Sequence, residues 1–159
     1  MKLLPQGLLD ELAARAAVSP RRRAHHTLHA GAADLVQRFI VSTCADTYFR
    51  PHRHAARSEL ALILRGRFEI VTFDAAGTLT ARHAVGAGSD SLGYETPAGT
   101  WHTVLALEDG AAFLEVKEGP YDPATAAEFA AWAPAEGATE VPRFAAWLRR
   151  ARPGERFDP

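Results

Sequence analysis

Between residues 36 and 116 the chain is cut into short apolar segments by tight turns, and this pattern narrows the possible folds more than any other feature. "LVQRFIVS" is the first such segment. "ELALIL" and "RFEIVTF" follow with only Arg65-Gly66 between them, and "FDAAGTLTARHAV" reads as a hairpin turning at residues 75–77. "SLGYETP", "WHTVLAL" and "AAFLEVK" complete the series, the last two joined by a turn at Glu108-Asp109-Gly110. Short runs bounded by Gly, Asp and Pro are strand signals, and many of them at regular spacing build a sandwich or a barrel. "ELALIL" is apolar on both faces, with Ala61 and Ile63 on one side and Leu60, Leu62 and Leu64 on the other. Such a strand must be covered twice. One cover is the barrel interior. The other is a second copy of the chain, giving a homodimer, or an N-terminal helix.

The flanks read differently. Residues 6–18 place Leu8, Leu9, Leu12, Ala13 and Ala16 at helical spacing, and Ser19-Pro20 ends that helix. Residues 123–134, "PATAAEFAAWAP", predict a second helix stopped by Pro134. "EVPRFAAWLRRA" predicts a third, with Phe144, Trp147 and Leu148 on one stripe. The tail at 152–159 is expected to fray. The 159 residues thus read as a single mainly β domain: an N-terminal helix over 1–20, a barrel core over 35–118 and C-terminal helices over 123–151.

At this length roughly 70% of the unfolded surface can be buried, so the core needs no disulfide. The lone Cys44 permits none within the chain and reads as a small buried residue, in keeping with a cytoplasmic setting. A net charge of -1 gives no electrostatic case for nucleic acid. No apolar run approaches the ~18 residues of a membrane span. The N-terminal segment is interrupted by Pro5, Asp10, Glu11 and Arg15, which suits an amphipathic helix better than a signal peptide.

The chemistry lies in "RPHRHAARSELALILRG". In an extended strand His52 and His54 point to one face, roughly 7 Å apart along it. Two imidazoles on one face can share a transition-metal ion, and Glu59 opens the next strand with an anionic oxygen. Alone, a His-x-His pair is as compatible with two exposed strand histidines. The second segment, "TPAGTWHTV", sets Pro97 and Gly99 in a turn that launches a strand carrying His102. Three histidines and one carboxylate from two β segments can make a four-ligand site with open positions, the arrangement of catalytic rather than closed metal sites.

These residues resemble the two motifs of the cupin superfamily: His52, His54, Glu59 and Gly66 match the first, and Pro97, Gly99 and His102 the second. Ser91 stands where the second motif usually opens with glycine, and Ala106 where it often ends with asparagine; neither is a ligand position. The segments "SPRRRAHHTLH", "DLVQRFI", "YFRPHRH", "GTWHTVLALEDG", "EVKEGPYDP" and "FAAWAP" are similar to the WbuC-type cupin-fold metalloproteins. The resemblance implies a cupin double-stranded β-helix (a jelly-roll barrel) with an N-terminal helix and C-terminal helices. It also implies one divalent transition metal (Zn, Fe, Mn or Ni) on His52, His54, Glu59 and His102, and a bacterial cytosolic protein linked to surface-polysaccharide gene clusters. It supplies no reaction.

If the alternation through His52 and His54 runs backward, Tyr48 and Arg50 share their face, and Arg50 would favour an anionic ligand. The basic cluster holding Arg21, Arg23, His25, His26 and His29 either reaches the pocket, with Arg23 and His29 as ligand-binding residues, or forms a surface loop. His83 reads as structural. Tyr121 caps the barrel mouth or belongs to a plain turn. Two classes of function remain. One is a metal-dependent oxygenase, isomerase or lyase acting on a small polar or anionic molecule such as a sugar derivative, with Glu59 as ligand or general base. The other is a non-catalytic metal-dependent binding or regulatory protein. A transcription factor lacks its helix-turn-helix, and metal-free sugar epimerases of cupin shape do not use the His-His-Glu-His set.

Overall fold

A computed structural model describes residues 1–158. The chain runs through α1 (Gly7–Val18), β1 (Arg23–Thr27), β2 (Val36–Thr43), β3 (His52–Arg53), β4 (Glu59–Arg65), β5 (Arg67–Phe73), β6 (Leu79–Gly86), β7 (Gly93–Thr96), β8 (Trp101–Ala106), β9 (Ala111–Glu118), β10 (Glu128–Phe129) and α2 (Val141–Leu148). The strands form two five-stranded antiparallel sheets, ordered β1-β2-β9-β4-β7 and β10-β3-β8-β5-β6. They face each other as the expected jelly roll.

Alternation explains the layers. Inward residues Val41, Ala61, Phe68, Ile70, Val104 and Phe113 pack between the sheets as one buried cluster. Outward residues of β5 and β8, among them Val71, Phe73, Trp101 and Leu105, pack instead against Ala130, Ala133, Phe144 and Leu148 of the C-terminal segment. The turn at Gly66, joining β4 to β5, has φ 74, and a Cβ there would lie 2.9 Å from that of Ala111, so this position needs glycine. No described helix is long and apolar enough to cross a membrane.

Four expectations change. Residues 123–134 are not helical. Asp122 accepts from the backbone N–H of Ala124 at 2.9 Å, and β10 pairs antiparallel with β3, Phe129 opposite His52. Pairing with a sheet edge thus outweighs the helix propensity of the alanines. The basic segment is only partly a loop, since residues 23–27 form the edge strand β1 with Arg21 and His29 flanking it. The tail is not frayed. Leu79 donates its N–H to the Glu155 carbonyl at 2.9 Å, and the Phe157 ring packs on Phe144 with centroids 5.0 Å apart; Pro159 lies outside the described residues. Finally, α1 does not cover Leu60, Leu62 and Leu64. It buries Leu12 and Ala16 against Ala24, Ile40 and Cys44, leaving the three leucines 38%, 41% and 44% exposed.

Candidate metal centre

Pairing places the two motifs face to face. His52 on β3 lies directly opposite His102 on β8, and the Gly99 backbone N–H donates to the His54 carbonyl at 2.8 Å. One nitrogen from each of His52, His54 and His102 falls within 4.8 Å of the others. His54, Glu59 and His102 are buried and His52 is half-buried.

The hydrogen bonds orient all three rings alike. Nδ1 of His52 lies 2.9 Å from the Arg50 carbonyl, Nδ1 of His54 2.6 Å from that of Ala126, and Nδ1 of His102 2.9 Å from that of Thr100. A carbonyl oxygen only accepts, so each Nδ1 carries a proton and Nε2 is the atom each ring can offer to a metal. Nε2 of His102 is buried without a hydrogen-bond partner. Nε2 of His54 faces Oε2 of Glu59 at 2.8 Å, while Oε1 of Glu59 is 3.9 Å from Nε2 of His102. The His54–Glu59 contact is a hydrogen bond with a proton on Nε2, one that a bound metal ion would displace. Three converging imidazoles, one with an orphaned Nε2, fit a divalent transition metal, while Glu59 stands beside His54 and His102 outside the group that closes within 4.8 Å.

Electrostatics agree. Burial pushes the His52 imidazole down to about 3, helped by neighbouring His102, and lowers that of His102 as well. Both are neutral when the pH is near 7, the form a metal requires. Burial opposes ionisation of Glu59, yet the hydrogen bond with His54 and the charge of Lys117 hold its carboxyl at about 2.

His52, His54 and Glu59 open onto a cavity of about 550 Å³ with aromatic walls that include Phe39, Phe49, Phe113 and Phe129. Arg50 lines it too. Its guanidinium sits over Phe129 at 5.6 Å and donates from Nη2 to the Ala130 carbonyl at 2.8 Å, while its buried Nε has no partner. Tyr48 does not share that face. Only His52 and Arg53 are extended on β3, so the alternation fails before Pro51, and the Tyr48 hydroxyl donates to the Pro134 carbonyl at 2.8 Å on the far side. Arg23 lines the cavity but is committed to Glu136 at 2.6 Å and to the Tyr48 carbonyl at 2.8 Å. His29 also reaches the wall, where its Nδ1 accepts from the Arg38 N–H at 2.9 Å and its ring packs on Phe39. His25 faces the cavity from β1, whereas His26 pairs opposite Ile40 on the outer face and His83 lies on β6. Tyr121 lies at the cavity's rim, 44% exposed.

Sequence reasoning missed Glu115 and Lys117, which line the cavity from β9. Lys117 Nζ lies 2.5 Å from Glu115 and 3.5 Å from Glu59. The signal was present in "AAFLEVK", where alternation puts Phe113, Glu115 and Lys117 on one inward face. Glu136, which also reaches the cavity, comes from a segment with no periodic signal at all.

Solved structures share this architecture at low identity. A cupin 2 conserved barrel domain protein from Rhodopseudomonas palustris is 19% identical, with a TM-score of 0.50 over 67% of this chain and 66% of that one. KdgF from Halomonas sp. is 16% identical, with a TM-score of 0.50 over 66% of this chain and 85% of that one. An oxalate oxidase in complex with the substrate analogue glycolate is 15% identical, with a TM-score of 0.52 over 85% of this chain and 69% of that one. No curated protein matches the sequence. The family model described as "Domain of unknown function (DUF6016)" matches residues 4–85, from the segment before α1 to β6, including His52, His54 and Glu59. The chain therefore has the cupin fold and belongs to the DUF6016 domain family.

Proposed function

We propose that this protein is a metal-dependent cupin that holds one divalent transition metal through Nε2 of His52, His54 and His102 with Glu59 as the fourth donor, and that it takes a small anionic or polar molecule into the adjoining cavity. The observation that carries this reading is the shared orientation of the three rings: each Nδ1 is tied to a backbone carbonyl, and the Nε2 of His102 has no partner. The metal, when bound, supplies Lewis-acid chemistry or activation of a small oxygen-containing molecule. The chain supplies the rest. Arg50 offers a guanidinium with no acidic partner among the described residues, suited to a carboxylate or phosphate. Phe39, Phe49 and Phe129 offer flat apolar surface to a ring such as a sugar, and exclude water around it.

The likeness of the sequence to WbuC-type proteins favours a sugar derivative in bacterial surface-polysaccharide metabolism, within the cytoplasm, as the setting. The exposed stripe of Leu60, Leu62 and Leu64 on the outer face of β4 favours a homodimer through that sheet. The test is to load tag-free protein anaerobically with Fe, Mn, Zn or Ni and present a panel of sugar phosphates, sugar nucleotides and small carboxylates. Saturable binding or turnover that needs both metal and Arg50 is the expected result. Turnover identifies an enzyme, and binding without turnover identifies a metal-dependent binding protein. Binding that is indifferent to metal contradicts the proposal.

A further inference from the structure

Glu59 is approached from two sides. Its Oε2 meets Nε2 of His54 at 2.8 Å, and the same oxygen meets Nζ of Lys117 at 3.5 Å. Lys117 is held more closely elsewhere, with Nζ 2.5 Å from Oε1 of Glu115. Glu115 and Lys117 project from the same inward face of β9, and Glu115 stands opposite Ala61 of β4, two residues beyond Glu59. Both are mostly buried, so their charges are weakly screened.

An ammonium beside a donor carboxylate competes with any metal for that carboxylate. From this geometry we infer that Glu115 sets the metal affinity of the centre by drawing Lys117 away from Glu59. Glu115 is thus a positioning residue that acts through Lys117 and touches no donor itself. It leaves Glu59 with a weak hold on Lys117, free to turn toward an ion between the histidines. Without the Glu115 charge, Lys117 has one anion left to pair with, and it closes on Glu59. This rests on the metal-centre reading above.

The two residues therefore have opposing roles, and the pair of variants separates them. Glu115→Gln removes the competing anion and leaves Lys117 to Glu59, so affinity for Zn²⁺ or Mn²⁺ should fall roughly tenfold or more, the scale of changes next to metal ligands. Adding Lys117→Met to Glu115→Gln removes the competitor, and affinity should return to the wild-type value or above it. The double variant buries neither an unpaired ammonium nor an unpaired Glu115 carboxylate, so it guards against loss of fold, and melting curves check that both variants are folded before affinities are compared.

Affinities are read by competition with a chromophoric chelator, using the metal alone. Loss in the single variant with recovery in the double supports the inference. Equal loss in both, or no change in Glu115→Gln, overturns it while leaving the metal centre standing. A wild-type protein that takes up neither ion overturns the metal centre and the inference with it.

Discussion

The Gly99 backbone N–H donates to the carbonyl of His54 at 2.8 Å, tying the turn before His102 to the segment that carries the other two histidines. Gly99 has φ 79, and nothing lies within 4 Å of where its Cβ would be. Its requirement is for backbone conformation and not for space. Gly99→Val should therefore cost about 1–2 kcal/mol of stability, the price of a left-handed β-branched residue. Urea unfolding should show that loss with the far-UV spectrum unchanged, and metal affinity should fall with it because the turn no longer holds the two segments in register.

Arg50 should govern the ligand and not the metal. Its guanidinium is bound to the Ala130 carbonyl and makes no contact with the histidine nitrogens. Arg50→Ala should weaken binding of an anionic ligand roughly tenfold or more while metal content stays at the wild-type level. Arg50→Lys should recover only part of the loss, since an ammonium cannot reproduce the planar fork. Isothermal titration on metal-loaded protein checks both.

Acid should destabilise the metal-free protein in a defined order. The His52 imidazole takes a proton near 6.5 when unfolded and only near about 3 when folded. Between those values the unfolded chain binds more protons, so stability falls as pH is lowered from about 6.5. The depressed His102 and His25 act in the same direction. Glu59, at about 2 when folded against 4.5 otherwise, stabilises above pH 4.5, and that contribution is lost as pH falls through 2. Melting temperatures of chelator-treated protein should drop between pH 6.5 and 5, and the drop should be shallower in His52→Gln.

The C-terminal segment is part of the core. Phe144 is fully buried and packs on Tyr48, Trp147 and Phe157. Phe144→Ala should cost about 3–5 kcal/mol, the range for deleting a buried aromatic ring. Denaturant unfolding measures it. His52 and His102 sit on β3 and β8, and Phe144 packs away from them, so metal binding in the folded variant should persist.

The barrel and its histidines were legible because their signals are local. Period-two alternation, turn glycines and two short motifs each act within a few residues, and β3 and β8 need only pair to bring His52 and His102 together. What was illegible depends on partners far away in sequence. The alanine-rich 123–134 segment looks helical until the open edge of β3 is available to it, and no local signal announces that Ala126 will place its carbonyl on Nδ1 of His54. Tyr48 was misplaced because the alternation was carried backward through Pro51 into a segment that is not a strand. Glu115 and Lys117 lay in plain sight on the inward phase of β9, where alternation alone puts two opposite charges on the cavity wall.

Elemental analysis tests most directly whether His102 Nε2, buried without a hydrogen-bond partner, is a metal donor. Tag-free protein, purified anaerobically with Fe, Mn, Zn and Ni supplied, should carry close to one transition-metal ion per chain. The His102→Ala variant, purified in parallel and shown to be folded, should carry almost none. Wild-type protein without stoichiometric metal, or a His102→Ala variant that keeps it, would contradict the account.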